Sequence, residues 1–215
     1  MKRRDLGRLA AGLLALAALA GLPGLAAAAD EAPDAMIKRL SNEVLDAIRS
    51  DKAIKGGDTQ RIVALVDSKI MPNVNFQRMT AAAVGPAWRQ ATPEQKKRLQ
   101  DEFKTLLVRT YAGALAQVDD QTISIKPQRS APEDTDVVVR SEIRGKGEPI
   151  QLEYRLEKTP GQGAGWRIYN LNVLGVWLVE TYRSQFAPEI NTKGVDGLIA
   201  TLQERNKANA NGRKG

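Results

Sequence analysis

Apolar residues in the first half of the chain recur at intervals of three and four, the spacing that places side chains on one face of a helix. Across residues 31–50 this spacing predicts one amphipathic helix. Asp58 offers an N-cap for a second helix, which Pro72 ends. Asn75 offers an N-cap for a short third helix that stops at Gly85. Most of this part of the chain is therefore predicted to be helical.

The strongest local signal precedes the longest helix. Thr92, Pro93 and Gln95 match a capping box with proline at the first helical position, where its missing N–H costs no hydrogen bond. Behind the box, apolar residues keep the i, i+4, i+7 spacing for about six turns. They are Leu99, Phe103, Leu106, Leu107, Tyr111, Ala114 and Leu115. We expect a long helix with one continuous apolar face.

After Val118 the period changes to two, which is typical of strands with one buried face. Polar turns separate the alternating segments, so the pattern predicts four antiparallel strands. The apolar positions of the four segments are Ile123 and Ile125; Val137, Val139 and Ile143; Ile150, Leu152, Tyr154 and Leu156; and the run from Trp166 to Val173. Helical spacing then returns from Leu178 to Leu202. This order predicts an α+β fold, with a curved four-stranded antiparallel sheet packed against several helices.

Residues 1–29 have the layout of a cleavable secretory signal. Lys2, Arg3 and Arg4 precede an apolar run, which ends in a stretch of small residues suited to cleavage. Because the arginines match a twin-arginine signal in part, we expect export by the Sec or the twin-arginine route. The remainder predicts one domain over residues 30–205 and a disordered polar tail over residues 206–215.

The chain has no cysteine and no histidine. Their absence removes disulfides, thiol nucleophiles, the commonest zinc ligand and the usual general base. Carboxylate, tyrosine or lysine chemistry remains for an enzyme, and no metal site is expected. The formal charge of +7 lies mostly at the two ends of the chain, so it gives little support for binding nucleic acid.

Several motifs, in order along the chain, are similar to those of the MlaC family, also known as the toluene-tolerance (Ttg2 auxiliary component) family. A central helical motif comprises Pro72, Phe76, Gly85, Trp88 and residues 91–95 with the apolar positions that follow. A C-terminal set lies at residues 166–170, 175–176, 182–186 and 194–198. Together these motifs extend over most of the chain that follows the predicted signal.

The resemblance implies a periplasmic protein with an NTF2-like core that encloses an apolar cavity. It implies phospholipid cargo, exchanged between an inner-membrane ABC transporter complex with an MCE-domain subunit and an outer-membrane lipoprotein and porin complex. Such a carrier maintains outer-membrane lipid asymmetry, is not an enzyme and needs no cofactor. A hopanoid-associated branch of the family leaves a hopanoid or another hydrophobic ligand open as cargo.

The apolar positions of the long helix and of the strands are the candidates for the lipid-binding wall. These candidates are Phe103, Leu107, Tyr111, Val139, Leu152, Tyr154, Ile168 and Leu171. Taken singly, each of these residues also suits an ordinary filled core. Arg109 and Arg183 are candidates for contact with a lipid headgroup or an acidic partner, and the alternative for both is a solvated or ion-paired surface.

Two positions depart from the family pattern. Asn170 stands where the family usually has Asp, and Trp177 stands where a small Ser is common. If the indole of Trp177 points inward, it shortens or reshapes the cavity. Two other classes of protein also stay open: an isomerase-type enzyme on an NTF2-like scaffold, acting through a Tyr and a buried carboxylate, and a periplasmic chaperone with an apolar groove.

Overall fold

The helices precede and follow a block of strands. The computed structural model describes residues 31–127, 131 and 133–211, so the predicted signal lies outside the described residues. Their α-helices are α1 (Pro33–Ser50), α2 (Lys52–Lys55), α3 (Thr59–Leu65), α4 (Phe76–Val84), α5 (Ala87–Gln90), α6 (Pro93–Ala116) and α7 (Leu178–Asn211). A π-helical turn (Val66–Ile70) and a 3-10 turn (Met71–Asn73) connect α3 to α4. In this described part, no helix is both long enough and apolar enough to span a membrane.

The capping box at the start of α6 is present as predicted. The backbone N–H of Gln95 donates to the Thr92 hydroxyl at 3.1 Å, and the backbone N–H of Thr92 donates to the Gln95 side chain at 2.9 Å. Two donors that the helix itself cannot satisfy therefore find partners. This fixes where the longest uninterrupted helix begins and hence which of its side chains face inward.

The strands form one antiparallel sheet in the order of the chain. They are β1 (Thr122–Ile125), β2 (Asp136–Arg144), β3 (Ile150–Lys158), β4 (Trp166–Val173) and β5 (Val176–Trp177). The α+β class is confirmed, but the predicted number of four strands is wrong. The fifth strand was missed because its two residues are too short to show an alternation, and it forms only because the chain reverses at Leu174 and Gly175. The NTF2-like assignment stays a prediction.

An irregularity in the pairing of β3 with β4 keeps the apolar side chains of β4 on one face. Leu156 pairs with Ile168, whereas Tyr154, two residues earlier, pairs with Leu171, three residues later. Strict alternation would place Ile168 and Leu171 on opposite faces, and the extra residue of the bulge returns both to the same face.

Three clusters of buried side chains pack the helices against one another and against this face of the sheet. The first joins α4, α6 and α7 and contains four aromatic rings, those of Phe76, Phe103, Tyr182 and Phe186. The second packs α1 on the sheet through Met36, Ile37 and Leu40. The third joins α1, α2, α3 and α6. The core is thus distributed around the space between α6 and the sheet.

The helix α7 is kinked at Gly194, where φ is 70°, and its second part corrects the predicted start of the disordered tail, because it continues to Asn211. Asn206 is buried, and its side-chain amide donates to the backbone carbonyl of Glu102 at 3.0 Å and to the carboxylate of Glu102 at 2.7 Å. The guanidinium of Arg109 donates to the backbone carbonyl of Asn206. These partners lie about a hundred positions earlier in the chain, so local polarity could not reveal them. Residues 212–215 lie outside the described residues.

Asn170, one of the two departures from the family pattern, connects β4 to the start of α7. Its side-chain oxygen accepts from the backbone N–H groups of Leu171 at 2.9 Å and Val179 at 3.1 Å. Its amide donates to the Glu180 carboxylate at 2.8 Å. Burial opposes ionisation of Glu180, but hydrogen bonds from Asn170 and Arg155 hold its pKa below the usual value. An amide can serve both as the acceptor and as the donor here, which a carboxylate cannot.

We predict that Asn170→Asp lowers the free energy of unfolding at pH 7 by about 1–2 kcal/mol, because the new carboxylate loses the donor and repels Glu180. Urea denaturation measures this change. Adding Glu180→Gln to the variant restores a donor opposite Asp and should recover part of the loss. Equal stability of Asn170→Asp and the wild-type protein would contradict this role.

Candidate functional site

The apolar face of the central strand is covered at one end and partly open at the other. Helix α1 lies along β1 and β2, and α4 and α7 pack on β4. Leu156, towards the C-terminal end of β3, is buried against α1, whereas Leu152, towards its other end, is half-buried and belongs to none of the three clusters. Helix α6 packs against α2, α3, α4 and α7, and its Leu107 and Tyr111 are half-buried. The partly open apolar area between these α6 side chains and the Leu152 end of β3 is the candidate cleft.

All five candidate residues from the strands lie on the face that bounds this cleft. Val139, Tyr154 and Leu171 form one row across β2, β3 and β4. Ile168 lies in the row on one side, with Val137 and Leu156, and Leu152 lies in the row on the other side, with Ser141 and Val173. Paired positions of an antiparallel sheet share a face, so these rows form a continuous surface. None of its members is a charged residue.

Burial divides the eight candidates into two groups. Phe103, Val139 and Ile168 are buried inside the packed clusters, and the Phe103 ring has its centroid 4.9 Å from that of Tyr182. These three side chains are part of the packed core behind the cleft. The other five keep part of their surface accessible and therefore have area to offer a ligand; they are Leu107, Tyr111, Leu152, Tyr154 and Leu171.

Sequence reasoning missed Val173 as a member of this surface. It is half-buried, belongs to none of the three clusters and pairs directly with Leu152. Its place on the apolar face depends on the bulge between β3 and β4, which the alternation of apolar residues in β4 does not reveal. The available signal was a change of phase within β4, where apolar residues stand at even positions up to Ile168 and at odd positions from Leu171.

The polar atoms of this surface are neutral. Burial raises the pKa of the Tyr154 hydroxyl, against the opposing effect of the Ser141 and Ser41 hydroxyls. Burial, and then the neighbouring Tyr182, raise the pKa of Tyr111. Both phenols therefore stay protonated at neutral pH and present hydroxyl groups among aliphatic side chains. Such a surface suits a long apolar ligand and provides no ionised group for acid–base chemistry.

Trp177 lies on the opposite face of the sheet. It pairs with Asn172, which shares the polar face with Glu153 and Arg140. The guanidinium of Arg155 stacks on the indole, 4.1 Å from the ring centroid. The condition under which Trp177 would shorten the apolar site, an indole that points inward, is therefore not met, because β5 pairs in a register that turns its indole outward.

The two candidate arginines lie away from the apolar surface. Arg109 binds the backbone carbonyl of Asn206 and so joins α6 to α7. Arg183 is exposed and lies over the turn that ends α4, where a Cβ added to Gly85 would be 3.5 Å from its Nε. Arg109 thus has a structural partner, whereas contact of Arg183 with a headgroup or an acidic partner stays a prediction.

Comparison with known proteins places these features in a family. The family model for the MlaC protein matches residues 38–204. A solved structure of a phospholipid-binding protein from Ralstonia solanacearum, in complex with a phospholipid, is 49% identical with a TM-score of 0.79, and the match covers 82% of this chain and 98% of that one.

Two curated relatives give the same assignment. The intermembrane phospholipid transport system binding protein MlaC of Haemophilus influenzae is 22% identical, over 83% of this chain and 84% of its own length. The toluene tolerance protein ttg2D of Pseudomonas putida is 27% identical, over 78% of this chain and 77% of its own. Since the family model covers most of the chain and the solved relative shares nearly half of its residues, the chain belongs to the MlaC family.

Proposed function

We propose that this chain is a periplasmic phospholipid carrier that holds the acyl tails of its cargo between α6 and the sheet. The observation that carries this proposal is the charge-free row of Ser141, Leu152 and Val173, in which Leu152 and Val173 are half-buried and belong to none of the three packed clusters. The half-buried Leu107 and Tyr111 of α6 offer the opposing wall. The phospholipid bound by the Ralstonia solanacearum relative supports the class of cargo.

The energetics of the cargo explain why an apolar cleft of this kind is needed. Two acyl chains contain roughly 30 methylenes, and at about 0.8 kcal/mol each their transfer out of water is worth on the order of 20 kcal/mol before the costs of binding. The binding site of a carrier must supply most of this favourable free energy, because otherwise the lipid stays in the membrane. A wall of aliphatic side chains and neutral hydroxyls supplies this free energy without burying an unpaired charge.

The proposed route runs between the two membranes of the cell envelope. A signal at residues 1–29 would export the chain to the periplasm. There it would exchange phospholipid between an inner-membrane ABC transporter complex with an MCE-domain subunit and an outer-membrane lipoprotein and porin complex, and so maintain lipid asymmetry. The name of the Haemophilus influenzae relative, an intermembrane phospholipid transport system binding protein, supports this role. The work of such a carrier is binding and release, without a cofactor or a catalysed reaction.

We predict that the protein purified from periplasm carries close to one phospholipid per chain. Native mass spectrometry gives the mass of the loaded chain, and analysis of the organic extract identifies the lipid. A chain that purifies empty, or with a hopanoid in place of phospholipid, would contradict the proposal.

Substitution of the cleft wall should remove the cargo. We predict that Leu107→Asp and Leu152→Asp each reduce the bound lipid at least about tenfold, because a carboxylate placed against acyl chains is costly to desolvate. Leu152 belongs to none of the three packed clusters, so the fold should tolerate its substitution better.

Ala114→Asp is the matched control, because it adds the same carboxylate to an exposed position of α6. This variant should keep a wild-type lipid content, and circular dichroism should show that all three variants are folded. Folded Leu107→Asp and Leu152→Asp proteins with unchanged lipid content would place the tails elsewhere.

A further inference from the structure

Large apolar side chains are exposed at one end of the sheet. In the described part, the exposed large hydrophobic residues are Leu174 with 63% of its surface accessible, Val176 with 51% and Ile150 with 38%. They lie together, because the backbone N–H of Leu174 donates to the carbonyl of Gln151, the neighbour of Ile150, at 3.0 Å. We call Ile150, Leu174 and Val176 the apolar tip.

The apolar tip continues the surface of the cleft. Val176 pairs with Val173, and Ile150 pairs with Ile143. Val176 thus extends the row of Leu152 and Val173, and Ile150 lies on the same face in the next row. An acyl chain lying on β3 would therefore reach the apolar tip without crossing a charged side chain. The tip is the open end of the same face that forms the proposed lipid site.

The backbone at the tip adds a second, independent observation. Leu174 has a φ of 51°, and in the described part it is the only residue other than glycine with a positive φ. With Gly175 at 87°, it forms the two-residue loop of a tight hairpin that requires positive φ at both positions. Asparagine followed by glycine is the favoured sequence in such a loop, and leucine is disfavoured. The chain keeps an exposed leucine where the turn itself favours a polar residue.

The chemistry of the hairpin favours a membrane over a protein partner. Residues 172–177 contain no charged side chain. The indole of Trp177 lies at the base of the hairpin, stacked on Arg155. Aliphatic side chains at a tip with an indole behind them suit the boundary between acyl chains and headgroups. Recognition of a protein would require polar groups at the rim to set the orientation, and the hairpin loop provides no side chain of that kind.

We propose that the apolar tip inserts into the surface of a phospholipid bilayer, and that lipid enters and leaves the cleft at this end. The proposal rests on the lipid-carrier function and adds to it the site of exchange. Leu174 leads into the bilayer, while Ile150 and Val176 join the bilayer interior to the apolar face of β3.

The test compares Leu174→Asn with the wild-type protein in the full chain. Asparagine accepts a positive φ, so the variant should be as stable as the wild type or more stable in thermal unfolding. Both proteins are loaded with a fluorescent phospholipid, and transfer is followed to protein-free vesicles of phosphatidylethanolamine and phosphatidylglycerol. We expect transfer by Leu174→Asn to be at least about tenfold slower, since insertion loses a leucine side chain.

Gly163→Asn is the matched control. Gly163 has a φ of 58° and lies in the turn between β3 and β4, at the opposite end of the sheet, where an added Cβ meets no atom within 4 Å. Asparagine at this position adopts a similar backbone conformation away from the tip, so Gly163→Asn should transfer lipid at the wild-type rate.

The outcomes separate this proposal from the function on which it rests. Slow transfer by Leu174→Asn alone, with one lipid still held per chain, supports insertion of the tip. Transfer by Leu174→Asn to the protein-free vesicles at the wild-type rate overturns it, as does equal slowing by Gly163→Asn. A wild-type protein that holds no lipid overturns the carrier function itself.

Discussion

The shift in register between β3 and β4 is the constraint on which the proposed site depends. Without the extra residue of the bulge, Leu171 and Val173 would face away from Ile168, and the apolar surface would end in the middle of the sheet. With it, three rows of side chains continue from β2 to β4 and meet α6 across the cleft. The same register turns Trp177 outward, onto Arg155, and brings Val176 to the end of the apolar face.

The packing around the cleft explains how the chain can keep an apolar surface partly open and still fold. Three clusters stabilise the contacts of α1, α4 and α7 with the sheet and of α6 with its neighbouring helices. The partly buried hydrogen bonds among Arg109, Asn206 and Glu102 tie the end of α7 to α6. Because α6 is held by other helices, the face of β3 need not be filled by protein for the helix to stay in place. A ligand can then supply the missing contacts.

Local patterns were sufficient for most elements and insufficient for features that depend on distant partners. The capping box at Thr92 and the alternation in β2 and β3 predicted α6 and the central strands, since the spacing of side chains alone defines them. The outward position of Trp177 and the helical state of Asn206 follow from pairing across the hairpin and from contacts with α6. Within the candidate wall, spacing could not distinguish packed residues such as Phe103 from half-buried ones such as Leu107, because both lie on the same helix face.

The central claim is that acyl tails lie between α6 and the apolar face of β3. A phospholipid with a photoactivatable diazirine near the end of one acyl chain would test it most directly, with the cross-linked residues mapped by mass spectrometry of the digested protein. Cross-links at Leu107, Leu152 and Tyr154 are the predicted result. Cross-links confined to the polar face, at residues such as Arg140 and Glu153, would contradict it.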